Sequence, residues 1–209
     1  MANIIPSIIA KSFEEVKSKL ARIDGLTDWA ELDIMDGRFV TPVSWDVPED
    51  LLNVQGRIKL EAHLMVKEPE ETLKEWMNYV DRVIVHAEAT DHLADILEAF
   101  DGSPANFGVA LKIDTPIDVL DDFEGKITNV QLMSIDTLGH YGAKFDDAIY
   151  DRVREVRAKY PEMKISVDGG ITLDNAPKLV EAGADNLIVG SAIWNSDDIA
   201  ATLKKFQDL

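Results

Sequence analysis

Arg82-Val83-Ile84-Val85-His86 and Asn186-Leu187-Ile188-Val189-Gly190 are short, continuously apolar runs bounded by polar residues. Continuous rather than alternating hydrophobicity is the pattern of a strand covered on both faces, as in a parallel sheet wrapped by helices. Six further runs of this kind lie at 3–9, 28–34, 58–64, 106–111, 127–133 and 163–168, and the two quoted runs extend over 81–86 and 185–190. Helical patterns fill the intervals. Ser12-Phe13-Glu14-Glu15 opens the first with a capping-box pattern. Pro69-Glu70-Glu71-Thr72-Leu73-Lys74-Glu75-Trp76 places proline at a helix start, where its missing N–H does no harm. Further helices are expected near 91–100, 117–123, 146–159, 174–182 and 197–207, with a shorter one around 47–53. Eight β-then-α units in one chain of 209 residues predict α/β architecture, a single (β/α)8 TIM barrel spanning 1–209 as one domain. No linker or low-complexity stretch interrupts it.

Composition narrows the class of partner. Hydrophobic residues make up 46% and charged residues 29% of the chain, the balance of a globular protein. The net charge is −18, from 39 acidic and 21 basic side chains, which repels phosphate backbones and argues against a nucleic-acid partner. Any anionic ligand must then be held locally, by backbone amides and helix ends. Absence of cysteine excludes disulfides and thiolate metal sites. No apolar run reaches membrane-spanning length, and the start Met1-Ala2-Asn3-Ile4-Ile5-Pro6 lacks the pattern of a signal peptide, so no membrane association and a cytoplasmic location are expected. Barrel outer faces can build dimers or hexamers; no stripe selects a state, and a homo-oligomer is left open.

In barrels of this class chemistry sits where strands end, on the C-terminal face. Strand 2 ends in Trp29-Ala30-Glu31-Leu32-Asp33-Ile34-Met35-Asp36-Gly37, and alternation sends Glu31, Asp33 and Met35 to one side. Two carboxylates in a barrel mouth repel each other unless a cation or proton lies between them. Strand 3 adds His63 in Glu61-Ala62-His63-Leu64-Met65, and strand 7 adds Asp168 in Ser166-Val167-Asp168-Gly169-Gly170. Taken singly, an Asp at a strand end is ordinarily a cap or turn residue, and a buried His a hydrogen-bonded core residue. Four such residues at the ends of strands in one barrel point instead to a divalent-metal site with an open position. Met35, Met65 and Met133 read from the sequence as core filler.

The phosphate signals are glycines. Gly169-Gly170 follows strand 7, and Gly190-Ser191-Ala192 follows strand 8 and enters a short helix. Barrels often bind phosphate with these two loops and an extra helix N-terminus.

Together these segments resemble the ribulose-phosphate 3-epimerase family over nearly the whole chain. Pro6-Ser7-Ile8-Ile9 resembles its opening PSIL, and Glu31-Leu32-Asp33-Ile34-Met35-Asp36-Gly37-Arg38-Phe39-Val40 its HVDVMDGHFV. Ala62-His63-Leu64-Met65 resembles VHLM, and Val85-His86-Ala87-Glu88-Ala89 resembles VHVEA. Gly108-Val109-Ala110-Leu111 with Thr115-Pro116 resembles GVALNPATP, while Val167-Asp168-Gly169-Gly170-Ile171 and Val189-Gly190-Ser191-Ala192-Ile193 resemble VDGGI and AGSAIF. The resemblance implies an isomerase of the pentose phosphate pathway that transfers a proton at C3 of a ketose phosphate, a small-molecule sugar phosphate. Asp33 and Asp168 would be acid and base on opposite faces of the sugar. One divalent ion (manganese, magnesium, zinc or iron) held by Asp33, His63 and Asp168 would stabilise the ene-diolate. Ser7 would contact the substrate or hold a carboxylate, the three methionines would floor the site, and Gly142, Gly169, Gly170, Gly190 and Ser191 would bind the phosphate.

Two departures bear on this reading. Glu31 stands where the family has a metal-binding His, and a set of Glu31, Asp33, His63 and Asp168 favours manganese or magnesium over zinc. The family's MSVNPGFGGQKF is replaced by the longer Met133-Ser134-Ile135-Asp136-Thr137-Leu138-Gly139-His140-Tyr141-Gly142-Ala143-Lys144-Phe145. Arg38 nearby is read either as a cation for the site or as surface. The leading expectation is epimerisation of D-ribulose 5-phosphate and D-xylulose 5-phosphate. Alternatives are an epimerase of another ketose phosphate, such as D-allulose 6-phosphate, and a non-catalytic phosphosugar-binding barrel. The related decarboxylase and hexulose-phosphate synthase group is disfavoured: its D-x-K-x-x-D has no Lys counterpart in Glu31–Asp36.

Overall fold

A computed structural model describes residues 2–99, 105–123 and 125–209. Eight parallel strands close into a barrel in chain order: β1 (Asn3–Ile8), β2 (Trp29–Met35), β3 (Lys59–Met65), β4 (Arg82–His86), β5 (Asn106–Leu111), β6 (Asn129–Met133), β7 (Lys164–Asp168) and β8 (Asn186–Val189), which returns to pair with β1. Helices α1 (Phe13–Ile23), α2 (Glu70–Trp76), α3 (Leu93–Ala99), α4 (Ile149–Lys159), α5 (Ala176–Ala182), α6 (Ser191–Trp194) and α7 (Ile199–Gln207) lie between and after them. The expected barrel is the observed one.

Each strand alternates two buried faces. Leu32, Ile34, Ala62, Leu64, Val83, Val85, Val130, Leu132, Val167 and Leu187 join the large apolar core between barrel and helices. Their neighbours Glu31, Asp33, Glu61, His63, His86, Gln131 and Ser166 are also buried but lie outside that core, on the barrel interior. Continuous hydrophobicity thus reported the outer face, and the polar residues interrupting it reported the inner one. Low in the barrel, Asn3 donates to Asn186 at 3.0 Å, Asn186 to Ser166 at 3.0 Å, and Ser166 to Asn129 at 3.1 Å, a chain of small polar groups across its base. Beside it Glu61 pairs with Arg82 at 2.9 Å, and the guanidinium stacks 4.4 Å from the Trp29 ring centroid.

Local chemistry sets the element ends. Ser12 Oγ accepts from the Glu15 N–H at 3.4 Å, while the Glu15 carboxylate accepts from the Lys11 N–H at 2.6 Å, so the reciprocal half of the capping box is shifted by one residue. Pro69 is the cap preceding α2, and Asp198 caps α7 by accepting from the Ala201 N–H at 2.9 Å. The segments expected to be helical at 47–53 and 117–123 are 3-10 helices, Pro48–Asn53 and Ile117–Phe123. Each buries residues three apart, Pro48 with Leu51 and Leu120 with Phe123, a spacing that suits three residues per turn. The expected helix at 91–100 is observed to Ala99; residue 100 lies outside the described residues.

Candidate active site

Pairing register carries the strand-end residues to one level. Asp33 lies opposite His63, Met35 opposite Met65, Met133 opposite Asp168, and Ser7 opposite Glu31. His63 Nδ1 is 3.2 Å from Asp33 Oδ1 and 3.7 Å from both Glu31 Oε1 and Asp168 Oδ2. One ligating atom from each of Glu31, Asp33, His63 and Asp168 falls within 4.8 Å of the others. The four residues singled out in the sequence therefore form one cluster.

Its electrostatics are those of crowded, dehydrated acids. Burial, then the charges of Asp168, Asp33 and Glu61, push the Glu31 carboxyl well above the usual carboxylate range. Burial and the Asp33 charge lift Asp168 to about 7 against the pull of His63. Burial also lifts Glu61 to about 7, opposed by Arg82 and His63. Burial alone would lower His63, but its hydrogen bond to Asp33 and the surrounding carboxylates raise it. Both Glu31 oxygens are buried without a well-aligned hydrogen-bond donor. Uncompensated buried oxygen atoms of this kind are costly unless a proton or cation meets them.

Above the cluster lies a cavity of about 40 Å³ lined by Ser7, Asp33, Met65, Met133, Gly142, Asp168, Gly169, Gly170, Gly190 and Ser191, with Ile135, His140 and Tyr141 from the segment after β6. Glu31, His63 and Met35 are not among its lining residues. Met35, Met65 and Met133 pack with Ile135 and Leu138 as a small apolar cluster at the mouth. That cluster is separate from the main core. Two glycines are required by close approach: a Cβ on Gly190 would sit 2.6 Å from the Tyr141 ring and 2.8 Å from Ser7 Oγ, and one on Gly169 2.7 Å from Ile135. No Lys or Arg lines the cavity among the described residues.

Several residues were not assigned a part by the sequence. Tyr141, in the segment that departs from the family pattern, donates its hydroxyl to the Ser7 carbonyl and accepts from the Ile9 N–H, both at 3.0 Å. It fastens residues 134–146 across the mouth. Trp194 Nε1 donates to the same Ser7 carbonyl at 2.6 Å. Tyr141→Phe removes two bonds each worth about 1 kcal/mol, so limited proteolysis within 136–144 is expected to accelerate about 5–30-fold. An unchanged cleavage rate would show that ring packing alone holds the segment. His86 and Glu88, visible as an i,i+2 pair at the end of β4, extend the cluster sideways through His63. Arg38 pairs with exposed Glu68 at 2.9 Å and is surface. Asp36 is a turn residue, accepting from the N–H groups of Arg38, Phe39 and Lys67.

Residues 3–194 match the model of the ribulose-phosphate 3 epimerase family. The chain belongs to that family. Ribulose-phosphate 3-epimerase of Mycobacterium bovis is 31% identical over 96% of this chain and 89% of its own. The Bacillus subtilis protein of that name is 29% identical over 95% and 94%. Among solved structures, 3-hexulose-6-phosphate synthase superposes with a TM-score of 0.76 at 18% identity, covering 99% of this chain and 98% of the other. The tryptophan synthase α-subunit of Pyrococcus furiosus does so at 0.75 and 16%, covering 99% and 98%. Both show the shared barrel alone. The family is one of isomerases, in agreement with the sequence reading. No helix among the described residues is long and apolar enough to cross a membrane.

Proposed function

We propose that the protein interconverts D-ribulose 5-phosphate and D-xylulose 5-phosphate by proton transfer at C3 between Asp33 and Asp168. The observation that carries this reading is that these two carboxyls, on strands three apart around the ring, line one cavity beside the Gly169-Gly170 and Gly190-Ser191 turns. Asp33 removes the proton from one face of C3. Asp168 delivers one to the other face, and the roles exchange in the reverse direction. The backbone N–H groups of Gly169, Gly170, Gly190 and Ser191 take the phosphate, which suits a cavity wall without lysine or arginine in a protein of net charge −18. Ser7 touches the sugar, Gly142 closes over the phosphate, and Met35, Met65 and Met133 keep water from the carbanionic centre.

A divalent cation fits the donors: three carboxylates, those of Glu31 and Asp33 buried, and one imidazole nitrogen lie within 4.8 Å, and both Glu31 oxygens are buried without a well-aligned hydrogen bond. Held by Glu31, Asp33, His63 and Asp168, it would supply positive charge to the developing ene-diolate oxygens. Three oxygen donors to one nitrogen favour manganese or magnesium over zinc. The test is turnover of D-ribulose 5-phosphate by metal-stripped protein resupplied with manganese, magnesium, zinc or iron. Manganese is expected to restore most activity. Glu31→His is expected to retain turnover with its preference moved toward zinc. Absence of turnover with every metal would overturn the assignment.

A further inference from the structure

His63 faces two ways. Its Nδ1 lies among the oxygens of Asp33, Glu31 and Asp168, and its Nε2 lies 2.9 Å from His86 Nε2. Two imidazole nitrogens at that separation share one hydrogen: one ring donates and the other accepts. Which ring donates is set one residue further out. His86 Nδ1 lies 3.1 Å from Glu88 Oε2, while Glu88 Oε1 accepts from the Lys112 N–H at 2.8 Å and from the Thr115 hydroxyl. A carboxylate engaged by these donors can only accept, so His86 Nδ1 carries the hydrogen. A second hydrogen, on His86 Nε2, would place a charge on a fully buried ring. His86 Nε2 is therefore bare, His63 Nε2 carries the shared hydrogen, and the nitrogen of His63 left to change its occupant is Nδ1.

We infer that Glu88, acting through His86, fixes the tautomer of His63 and so reserves His63 Nδ1 for the cation. The inference rests on the metal reading above and deepens it. Neither His86 nor Glu88 lines the cavity, so both are positioning residues. Their effect differs from packing because it has a direction: reversing the terminal acceptor reverses every hydrogen in the chain. Glu88→Gln does this with almost no change in volume. The Lys112 N–H is a fixed donor and holds the amide oxygen on its side, so the amide NH2 turns toward His86 Nδ1. His86 must then present a bare Nδ1 and an Nε2–H, and His63 is driven to carry its hydrogen on Nδ1, where the cation would bind.

The experiment pairs long-range ¹H–¹⁵N spectra of the histidine rings, recorded with and without Mg²⁺, with titration of Mn²⁺ by calorimetry. Wild type is expected to show His86 in the Nδ1–H form under both conditions. Glu88→Gln is expected to show the Nε2–H form and to bind Mn²⁺ about 10–100-fold more weakly. Thr115→Val, which leaves the carboxylate in place, is expected to keep both the wild-type tautomer and an affinity close to wild type. His86 in the Nε2–H form in wild type overturns the inference, and that spectrum decides alone should Glu88→Gln fail to fold. An unchanged tautomer or an unchanged Mn²⁺ affinity in Glu88→Gln overturns it too. Wild type that binds no Mn²⁺ removes the metal reading and the inference together. Mn²⁺ binding with the expected loss in Glu88→Gln, but without ribulose 5-phosphate turnover, upholds the inference and removes only the sugar assignment.

Discussion

Asp33→Asn and Asp168→Asn are each expected to lower kcat by at least about 10²–10⁴-fold at saturating manganese, the range lost when a positioned acid–base group is removed. The more discriminating result concerns the C3 hydrogen. In a two-carboxyl mechanism each Asp addresses one face, so each variant keeps the group that deprotonates one epimer and lacks the group that completes inversion. In deuterium oxide, one variant is expected to exchange C3 hydrogen only from D-ribulose 5-phosphate and the other only from D-xylulose 5-phosphate. The geometry behind this is the approach of β2 and β7 to one cavity lined by Asp33 and Asp168. Exchange of the same epimer by both variants would mean that a single base serves both faces.

The second large effect is on stability. Glu31, Glu61, Asp168 and His63 all have folded-state pKa values above their ordinary ones, Glu61 and Asp168 at about 7. A carboxyl of this kind contributes stability fully below its unfolded pKa and loses it as pH rises through its folded value. Each loses up to about 1.4 kcal/mol per pH unit in that window. Glu88 runs the other way: burial opposes its ionisation, but His86, Thr115 and Lys112 hold it at about 2, so its contribution is lost as pH falls from its ordinary range toward that value. Metal-stripped protein is therefore expected to melt at its highest temperature near pH 5 and to lose stability steadily toward pH 8. At pH 8, Mn²⁺ at about 100 times its dissociation constant should add about 2.7 kcal/mol, or about 5–10 °C in Tm. The increment should shrink toward pH 5, where protons already occupy the carboxyls. A Tm of stripped protein that rises from pH 5 to 8 would contradict the charge state assigned to the cluster.

Much of this arrangement was legible in the residues because a barrel strand has only two faces. Leu32 and Ile34 pack outward, Glu31, Asp33 and Met35 inward, and alternation alone separates them. The convergence of Glu31, Asp33, His63 and Asp168 followed from parallel register at strand ends. Less legible were features that depend on how a loop lies or on which atom of a ring meets its neighbour. Nothing in the spacing of residues 133–145 tells that Tyr141 reaches back to β1, because the loop carries no repeat. Arg38 had two readings in the sequence, and Glu68, distant in the chain, decided between them. The segments 47–53 and 117–123 were expected as helices without their type, because one buried pair three residues apart fits either period. His86 and Glu88 were in view as a motif, but the direction of their hydrogen bonds exists only once Lys112 and Thr115 arrive from the loop after β5.

The Ser7 carbonyl oxygen receives Tyr141 and Trp194, groups 134 and 187 positions further along the chain. Strand β1, which carries Ser7, pairs on one side with β8, the last strand to be made. Closure of the ring between β1 and β8 thus completes the circle on which Asp33, His63 and Asp168 stand. The four donors therefore come to one point only in the closed ring, and whatever parts β8 from β1 also loosens the two bonds that Tyr141 and Trp194 make to the carbonyl of Ser7.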